Sequence, residues 1–549
     1  MRNVSLFLGT SGLVAVVAAG YAAGCVSVGA DCALLASCAE YADAGPGGTG
    51  GQDGGGGDAR SDAMSDAPVV DCAGPPMKMA GGPDTSCGVF AEPGVAAGGD
   101  GSKKSPFASL QAALDAAAIA GKPVYACAKE FDESVHLPSG LVLYGGLDCT
   151  HGWAWTAAQR TRIKAPATAT TSGATEIAVR LGAGAGKTVI EDVDVIAAGG
   201  ALPGVSSVAV LIEDTAAELT RSKLTAGDGT KGEDGVSPAH DPGLDGFDGV
   251  LGFNICGADV TNPGPAGSTK PCGAQTSAGG QGGDGGMPSG ASLAGGDGQA
   301  GAPSDPASPG GGLAGKGQSA MACTAGVPGA DGAPGSSGLG STGTGAISTS
   351  GYAGTAGTDG LDGKPGQGGG GGGGAKGKLQ IVCLQLPTKD RAGATGGSGG
   401  TGGCGGVRGG GGKAGGSSIA LLSLATHPVT LTGVVLDVGN GGDGGKGGDG
   451  QDGGGNGSGA NGGQGANGAS AGCAGGNGGH GGAGGPGGGG LGGHAIGVAH
   501  GGTAPQGTPT VTFKTTPPTV GLGGAAGANN TDPVAGKGAD GTSGPLVKL

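Results

Sequence analysis

Apolar positions along this chain fall in short runs, and the runs recur as a set. EIAVRLGAGAGKTVIEDVDVIAAGG from Glu176 and SSVAVLIEDTAAELTRSKLTAGDG from Ser206 share one design. SSIALLSLATHPVTLTGVVLDVGNGG from Ser417 and HAIGVAHGGTAPQGTPTVTFKTTPPTVGLGG from His494 repeat it. Each holds an apolar strand, a small or polar turn, a second strand, a third apolar patch and then glycine. A unit of roughly 22–30 residues with about three strands is one layer of a stacked β architecture, in which no layer buries its apolar column alone.

A different period precedes these units. Leu110, Ala113, Leu114 and Ala117 stand at i, i+3, i+4 and i+7, which predicts a helix. Ser105 or Ser109 suits its cap, Pro106 its first turn, and Gly121 with Pro123 its end. Pro123–Cys127, Glu133–Leu137 and Leu141–Gly146 are short apolar runs bounded by Gly, Pro, Ser or Asp, and read as strands. Seven aromatic residues lie between Phe90 and Trp155, which predicts a compact, well-packed module there.

The helix Ser105-Pro106-Phe107-Ala108-Ser109-Leu110-Gln111-Ala112-Ala113-Leu114, the strand Val124–Cys127 and Leu143-Tyr144-Gly145-Gly146 carry a resemblance. They resemble the pectate-lyase-like right-handed parallel β-helix superfamily over residues 85–225, with returning coils at 417–440 and 494–524. The resemblance implies an all-β fold, a right-handed parallel β-helix whose open end is covered by a short N-terminal capping helix.

Composition then explains the gaps between units. Of 549 residues, 144 are Gly and only 13% are charged. After Gly229 the chain runs roughly 190 residues before Ser417 restarts the pattern, and after Gly441 roughly 50 more before His494. Their placement predicts long glycine-rich insertions at one equivalent turn; unrelated filler between independent pieces is the alternative. Two textures alternate. Gly326, Gly329, Gly332, Gly335 and Gly338 mark every third residue, whereas 475–485 reads GGxGG. The second texture resembles the PGRS-type glycine-rich repeats of bacterial surface proteins. The insertions are therefore expected to be polyglycine-II-like or disordered; the triplets are too short, broken and Pro-poor to favour a collagen trimer. The run 441–452 is similar to the calcium-binding nonapeptide GGxGxDxUx but lacks its aliphatic residue, so ordinary solvated carboxylates are expected and no metal.

The N-terminus reads as an export signal, with Arg2 followed by apolar and small residues from Leu6 to Ala23. Ala22-Ala23-Gly24-Cys25 resembles a bacterial lipobox, departing from it at Ala22, where Leu is usual. The resemblance implies lipidation of Cys25, a membrane partner through the lipid anchor, and a place in the cell envelope as an outer-membrane or cell-surface lipoprotein; plain secretion is the alternative. The expected division is a signal peptide at 1–24, a flexible Gly/Asp/Ser linker at 25–68, coils with the capping helix at 69–226, and an insertion at 227–416. A returning coil follows at 417–440, a second insertion at 441–493, the last coil at 494–524 and a glycine-rich tail at 525–549. Of 13 Cys, setting Cys25 aside leaves an even number for disulfides in an oxidising setting. Near neighbours Cys32/Cys38, Cys72/Cys87, Cys127/Cys149 and Cys256/Cys272 are candidate pairs.

A formal charge of -15 argues against nucleic acid. LGAGAGKT at 181–188 lacks the spacing of a phosphate loop and precedes a strand-like run, so no nucleotide is expected. The β-helix resemblance implies a search for a polysaccharide-cleaving site. Arg162-Ile163-Lys164, Gly479-His480-Gly481 and Asn530-Thr531-Asp532 occur in reverse order, and no Asp-Asp pair occurs. Asp192 and Asp194 alternate to one face of a predicted strand, beside Glu191, and Trp153 and Trp155 point to one side of an extended segment. These four are the candidate glycan contacts. The leading expectation is a non-enzymatic surface protein, structural or adhesive, with extracellular polysaccharide or envelope components as partners and no cofactor. A divergent polysaccharide lyase or hydrolase is the alternative.

Overall fold

The structure, a computed structural model, describes residues 72, 74–79, 81–257, 259–288, 293–304, 306–383 and 387–549. These belong to the unit Val70–Leu549. The predicted signal peptide, the lipobox at Cys25, the linker and the Cys32/Cys38 pair lie outside the described residues.

The predicted helix is α1, Leu110–Ala120, and it buries Leu110, Ala113, Leu114 and Ala117. Ser109 is its cap, accepting from the Ala112 N–H at 3.2 Å. The Glu133 carboxylate adds to this start, taking the Leu110 N–H at 2.6 Å and the Ser109 hydroxyl at 2.8 Å. Pro106 lies before the cap rather than in the first turn. Gly121 ends the helix with φ 63°, a conformation that costs glycine least.

The remainder is all-β. In chain order the strands are β1 (Val89–Ala91), β2 (Val124–Cys127), β3 (Glu130–Phe131), β4 (Val135–Leu137), β5 (Val142–Asp148), β6 (Ala154–Trp155) and β7 (Thr161–Lys164). Then come β8 (Thr175–Leu181), β9 (Lys187–Glu191), β10 (Val193–Ile196), β11 (Ser206–Ile212), β12 (Ala216–Thr220) and β13 (Lys223–Thr225). Three hairpins follow, formed by β14 (Thr269–Cys272) with β15 (Gln275–Ala278), β16 (Ala346–Ser348) with β17 (Gly351–Ala353), and β18 (Lys378–Ile381) with β19 (Lys389–Arg391). The last are β20 (Ser418–Ser423), β21 (Val429–Thr432), β22 (Val435–Val438), β23 (Ala495–His500), β24 (Gln506–Gly507), β25 (Thr510–Phe513) and β26 (Ser543–Lys548).

Three larger sheets collect these strands, with parallel neighbours apart from the antiparallel β5–β6 pair. Sheet 1 has the order β1-β2-β5-β9-β12-β21-β24, with β6 on β5; sheet 2 is β3-β7-β10-β13-β22-β25; sheet 3 is β4-β8-β11-β20-β23-β26. The chain visits sheets 3, 1 and 2 in that order, layer after layer. Register stacks like on like: Val179, Val210, Leu421 and Val498 form one column of sheet 3. Leu143, Ile190, Leu219 and Leu431 form one of sheet 1, and Ile163, Val195, Leu224 and Leu436 one of sheet 2. All three columns belong to a single buried cluster. The segment Ser543–Lys548, expected as glycine-rich tail, instead pairs with β23 as the edge of sheet 3. Its composition is weakly strand-like, and the pairing decides it.

The middle strands of sheet 3, β11, β20 and β23, are buried on both faces, which is why β11, SSVAVLI, has no exposed position. Its outer column Ile177, Val208, Ile419 and Ile496 packs under the β16–β17 hairpin, whose Tyr352 is 3% exposed.

The long glycine-rich stretches lie between β13 and β20, β22 and β23, and β25 and β26, so each leaves sheet 2 and returns to sheet 3. They are extended and bonded to one another. Gly357, Gly360, Gly363, Gly366, Gly369 and Gly372 donate to the carbonyls of Gly412, Gly409, Gly406, Gly403, Gly400 and Gly397 at 2.9–3.0 Å, an antiparallel pairing in steps of three. Gly397, Gly400, Gly403, Gly406, Gly409 and Gly412 donate onward to Cys473, Gly476, Gly479, Gly482, Gly485 and Gly488, a parallel one. A chain with three residues per turn presents the same side every third residue, so one N–H per turn meets each neighbour. Glycine is required by closeness: a Cβ on Gly399 would lie 1.9 Å from the Gly369 oxygen, and one on Gly371 1.8 Å from that of Gln281. Because the triplet partners come from the same chain, their period requires no collagen-like trimer.

Among the described residues there are five disulfides. Cys72–Cys87 and Cys127–Cys149 join the near neighbours expected. The Cys256/Cys272 pairing is corrected: Cys256 joins Cys383, Cys272 joins Cys404, and Cys323 joins Cys473. Lateral packing brings together cysteines 127, 132 and 150 residues apart, which spacing along the chain does not reveal. Such bonds belong to an oxidising, extracellular setting. Among the described residues no helix is long and apolar enough to cross a membrane.

Candidate functional site

The candidate carboxylates sit where sheet 1 turns into sheet 2. In successive layers this corner is a single left-handed residue: Asp192 at φ 58°, Arg221 at 47° and Gly433 at 61°. Backbone bonds stack the corners, Asp192 N–H to Thr220 O at 3.1 Å and Arg221 N–H to Thr432 O at 2.9 Å. A left-handed Asp is tolerated, whereas a left-handed Arg is strained and is held by its surroundings.

Those surroundings are Glu191, Asp192 and Trp155. The Arg221 guanidinium grips the Asp192 carboxylate with two bonds, Nε to Oδ1 at 3.1 Å and Nη2 to Oδ2 at 2.7 Å, and also meets Glu191. Trp155 Nε1–H donates to Asp192 Oδ2 at 2.8 Å, and the guanidinium stands 6.0 Å from its ring. The Asp192 side chain is 7% exposed. The hydrogen bonds that Arg221 donates to Asp192, outweighing the burial that opposes them, raise the Arg221 pKa and keep it charged.

Two sequence expectations are corrected here. Asp192 and Asp194 do not share a face, because the left-handed corner at Asp192 turns the chain between them. Trp153 and Trp155 do not form a stacking platform. Trp153 is 3% exposed and packs edge-on against Phe90 at 4.9 Å, so it offers no ring face to a ligand.

Asp194 stands on the outer face of sheet 2, in a row of alternating charge. Glu130, Arg162, Asp194 and Lys223 are direct cross-strand neighbours. Arg162 pairs with Glu130 at 3.1 Å and Arg160 with Asp194 at 3.3 Å. A groove of about 650 Å³ lies over one half of this sheet, and one of about 530 Å³, lined by Glu130, Arg160, Arg162 and Asp194, over the other. Every carboxylate of the candidate set therefore has an arginine partner.

The remaining motifs are also structurally occupied. Residues 182–186 of LGAGAGKT form the turn between β8 and β9. The His480 N–H donates to Asp331 at 2.7 Å. Among the described residues one group, Glu92 with Cys127 and Cys149, is compact enough for a metal ion, but its sulfurs form a disulfide and are not thiolates.

Two features escaped sequence reading. The first is a side-chain ladder at the entry to sheet 3: Ser206 Oγ accepts from Ser417 N–H at 2.9 Å, Ser417 Oγ from His494 N–H at 2.8 Å, and His494 Nδ1 from Thr542 N–H at 2.7 Å. His494 Nε2 meets the Thr344 carbonyl at 2.8 Å, so the neutral Nε2–H tautomer satisfies both partners. Alignment of Ser206, Ser417 and His494 at the start of three units was the available signal. The second is the use of aspartate in the glycine-rich segments. Asp245 and Asp248 accept the N–H groups of Gly455 and Ser458 at 2.6 and 2.7 Å, and Asp359 and Asp362 those of Gly411 and Arg408 at 2.8 and 2.9 Å. Asp443 and Asp449, from the calcium-like run, accept those of Leu522 and Ala528 at 2.8 and 2.7 Å. These are not merely solvated carboxylates. They satisfy outer-row N–H groups that no neighbouring carbonyl reaches.

Comparisons with family models, curated proteins and solved structures return no match for this chain.

Proposed function

We propose that this is a non-enzymatic protein of the bacterial cell envelope, structural or adhesive, anchored through a lipidated Cys25. In this reading the three sheets close as a right-handed parallel β-helix, and the glycine-rich stretches are insertions packed as a polyglycine-II-like slab beside it. The observation that carries the reading is the lateral bonding of those segments together with three disulfides within them. A stiff, cross-linked slab suits presentation of a surface, and the arginine-paired carboxylates at Asp192 and Asp194 suit a scaffold better than a cleavage site.

Limited proteolysis with circular dichroism of protein starting at Cys25 tests the slab. Resistance across 230–416 is expected, and rapid loss of that region with the rest intact overturns it. Fatty-acid labelling in a bacterial host should mark the chain and vanish in Cys25→Ser. Turnover of an acidic polysaccharide, lost in Asp192→Asn with Asp194→Asn, would replace this reading with the lyase or hydrolase one.

A further inference from the structure

The larger groove on sheet 2 lies away from the candidate carboxylates, and its chemistry is distinct. It has a volume of about 650 Å³ and runs across four layers, from the turn at Gly199–Gly200 over β13 and β22 to β25. Its floor is the outward row Thr225, Asp437 and Thr512, which are direct cross-strand neighbours. Parallel strands set such a row at steps of about 4.8 Å, so an occupant lying along it crosses the strands. One wall is corner backbone that side chains do not fill, because these glycines sit at close approaches. A Cβ on Gly227 would lie 2.4 Å from the Gly199 nitrogen, and one on Gly439 2.7 Å from an Asp228 oxygen.

The polar groups are charged in pairs. Lys514 bridges Asp228 at 2.5 Å, and Lys223 bridges Asp437 at 2.5 Å. Thr512 donates its hydroxyl to Asp437, and Asp228 also accepts the Asn440 N–H at 2.8 Å. The Thr225 hydroxyl has no hydrogen-bond partner among the described residues. Phe513 borders the β25 end, with its side chain packed towards the core beneath the sheet. With Lys223, which reaches Asp437 from beside the groove, the charges cancel, and the groove offers hydroxyls, carboxylate lone pairs and ammonium donors on a chain whose own charge is -15.

We infer that this groove binds a neutral glycan laid along the stacking direction. Vicinal hydroxyls both donate and accept, so they satisfy Thr225, Thr512 and the spare lone pairs of Asp228 and Asp437 without breaking the ion pairs. A polyanion gains nothing from paired charges and is repelled by the chain as a whole. The assignment holds whether or not Cys25 is lipidated, so its outcome is separable from that of the anchor.

The test is isothermal titration of the purified chain with neutral hexasaccharides of glucose, mannose and xylose, and with oligogalacturonate. At least one neutral hexasaccharide binds, and oligogalacturonate does not. Thr512→Trp, which fills the groove from an exposed position, abolishes binding, and Asp437→Asn weakens it about tenfold, the size of a lost hydrogen bond to a charged group. Thr430→Trp on the outer face of sheet 1 leaves it unchanged, and thermal unfolding of each variant verifies the fold. The inference is overturned if no neutral hexasaccharide binds, if oligogalacturonate binds in preference, or if folded Thr512→Trp binds like the parent.

Discussion

Arg221 occupies a left-handed corner and turns its guanidinium back onto Asp192, the left-handed corner of the preceding layer. The strained Arg backbone and the low exposure of Asp192 are linked, because without Arg221 the carboxylates of Glu191 and Asp192 would face each other in a confined place with no cation between them. Arg221→Ala is expected to destabilise the fold by about 2–3 kcal/mol, below the full cost of breaking a buried pair because Arg221 is 31% exposed. Arg221→Lys should recover only part of this, since lysine cannot grip the carboxylate with two bonds. Guanidinium unfolding of the three proteins checks the order.

Glycine positions in the slab should divide sharply. Gly399→Ala places a Cβ 1.9 Å from the Gly369 oxygen and should cost about 2–3 kcal/mol, the range for forced overpacking. Gly310→Ala meets nothing within 4 Å and should be neutral or stabilising by up to about 1 kcal/mol. Thermal unfolding midpoints of the two variants compare them directly.

The long-range disulfides should matter more than their number suggests. Removing Cys272–Cys404 with a double Cys→Ser change releases a closure of 132 residues and should lower stability by about 5 kcal/mol on the loop-entropy view. Peptide mapping without reductant should recover Cys256–Cys383, Cys272–Cys404 and Cys323–Cys473, and no Cys256–Cys272 peptide.

Stability should also depend on pH through His494. Burial, partly offset by its bond to the Thr344 carbonyl, lowers its folded-state pKa below the ordinary 6.5. The unfolded chain then binds a proton that the folded chain refuses, so stability present above pH 6.5 is lost as pH falls below it. His494→Gln keeps a donor and an acceptor without titrating. Its melting temperature should vary less between pH 7 and pH 5 than that of the parent.

The apolar strands were legible because each needs only its own alternation and its bounding turns. Ile163, Ile190, Val195, Leu219 and Leu224 announce an inward face wherever the strand is finally placed. The helix at Leu110–Ala120 was legible for the same reason, and its periodicity names the buried residues. The candidate site was legible in composition but not in geometry. Glu191, Asp192 and Asp194 stood out, yet nothing local showed that Arg221 would reach back to Asp192. The same limit hid the aspartate bonds to backbone N–H groups, whose partners are residues distant along the chain, and the strand at Ser543–Lys548, which exists because β23 offers it an edge.

By itself, then, the sequence determined the apolar period, the helix at Leu110–Ala120, the repeated three-strand unit and the points at which glycine departs from it. Those are properties of neighbouring residues, set by side-chain alternation, helix periodicity and the conformational freedom of glycine. Only the tertiary structure decided which cysteines pair, which amides the aspartates satisfy, why the middle strands of sheet 3 are buried on both faces, and that the corner carboxylates are held by arginine. Each of those depends on which distant segment lies alongside, and lateral packing of near-identical glycine triplets leaves no local mark of its partner.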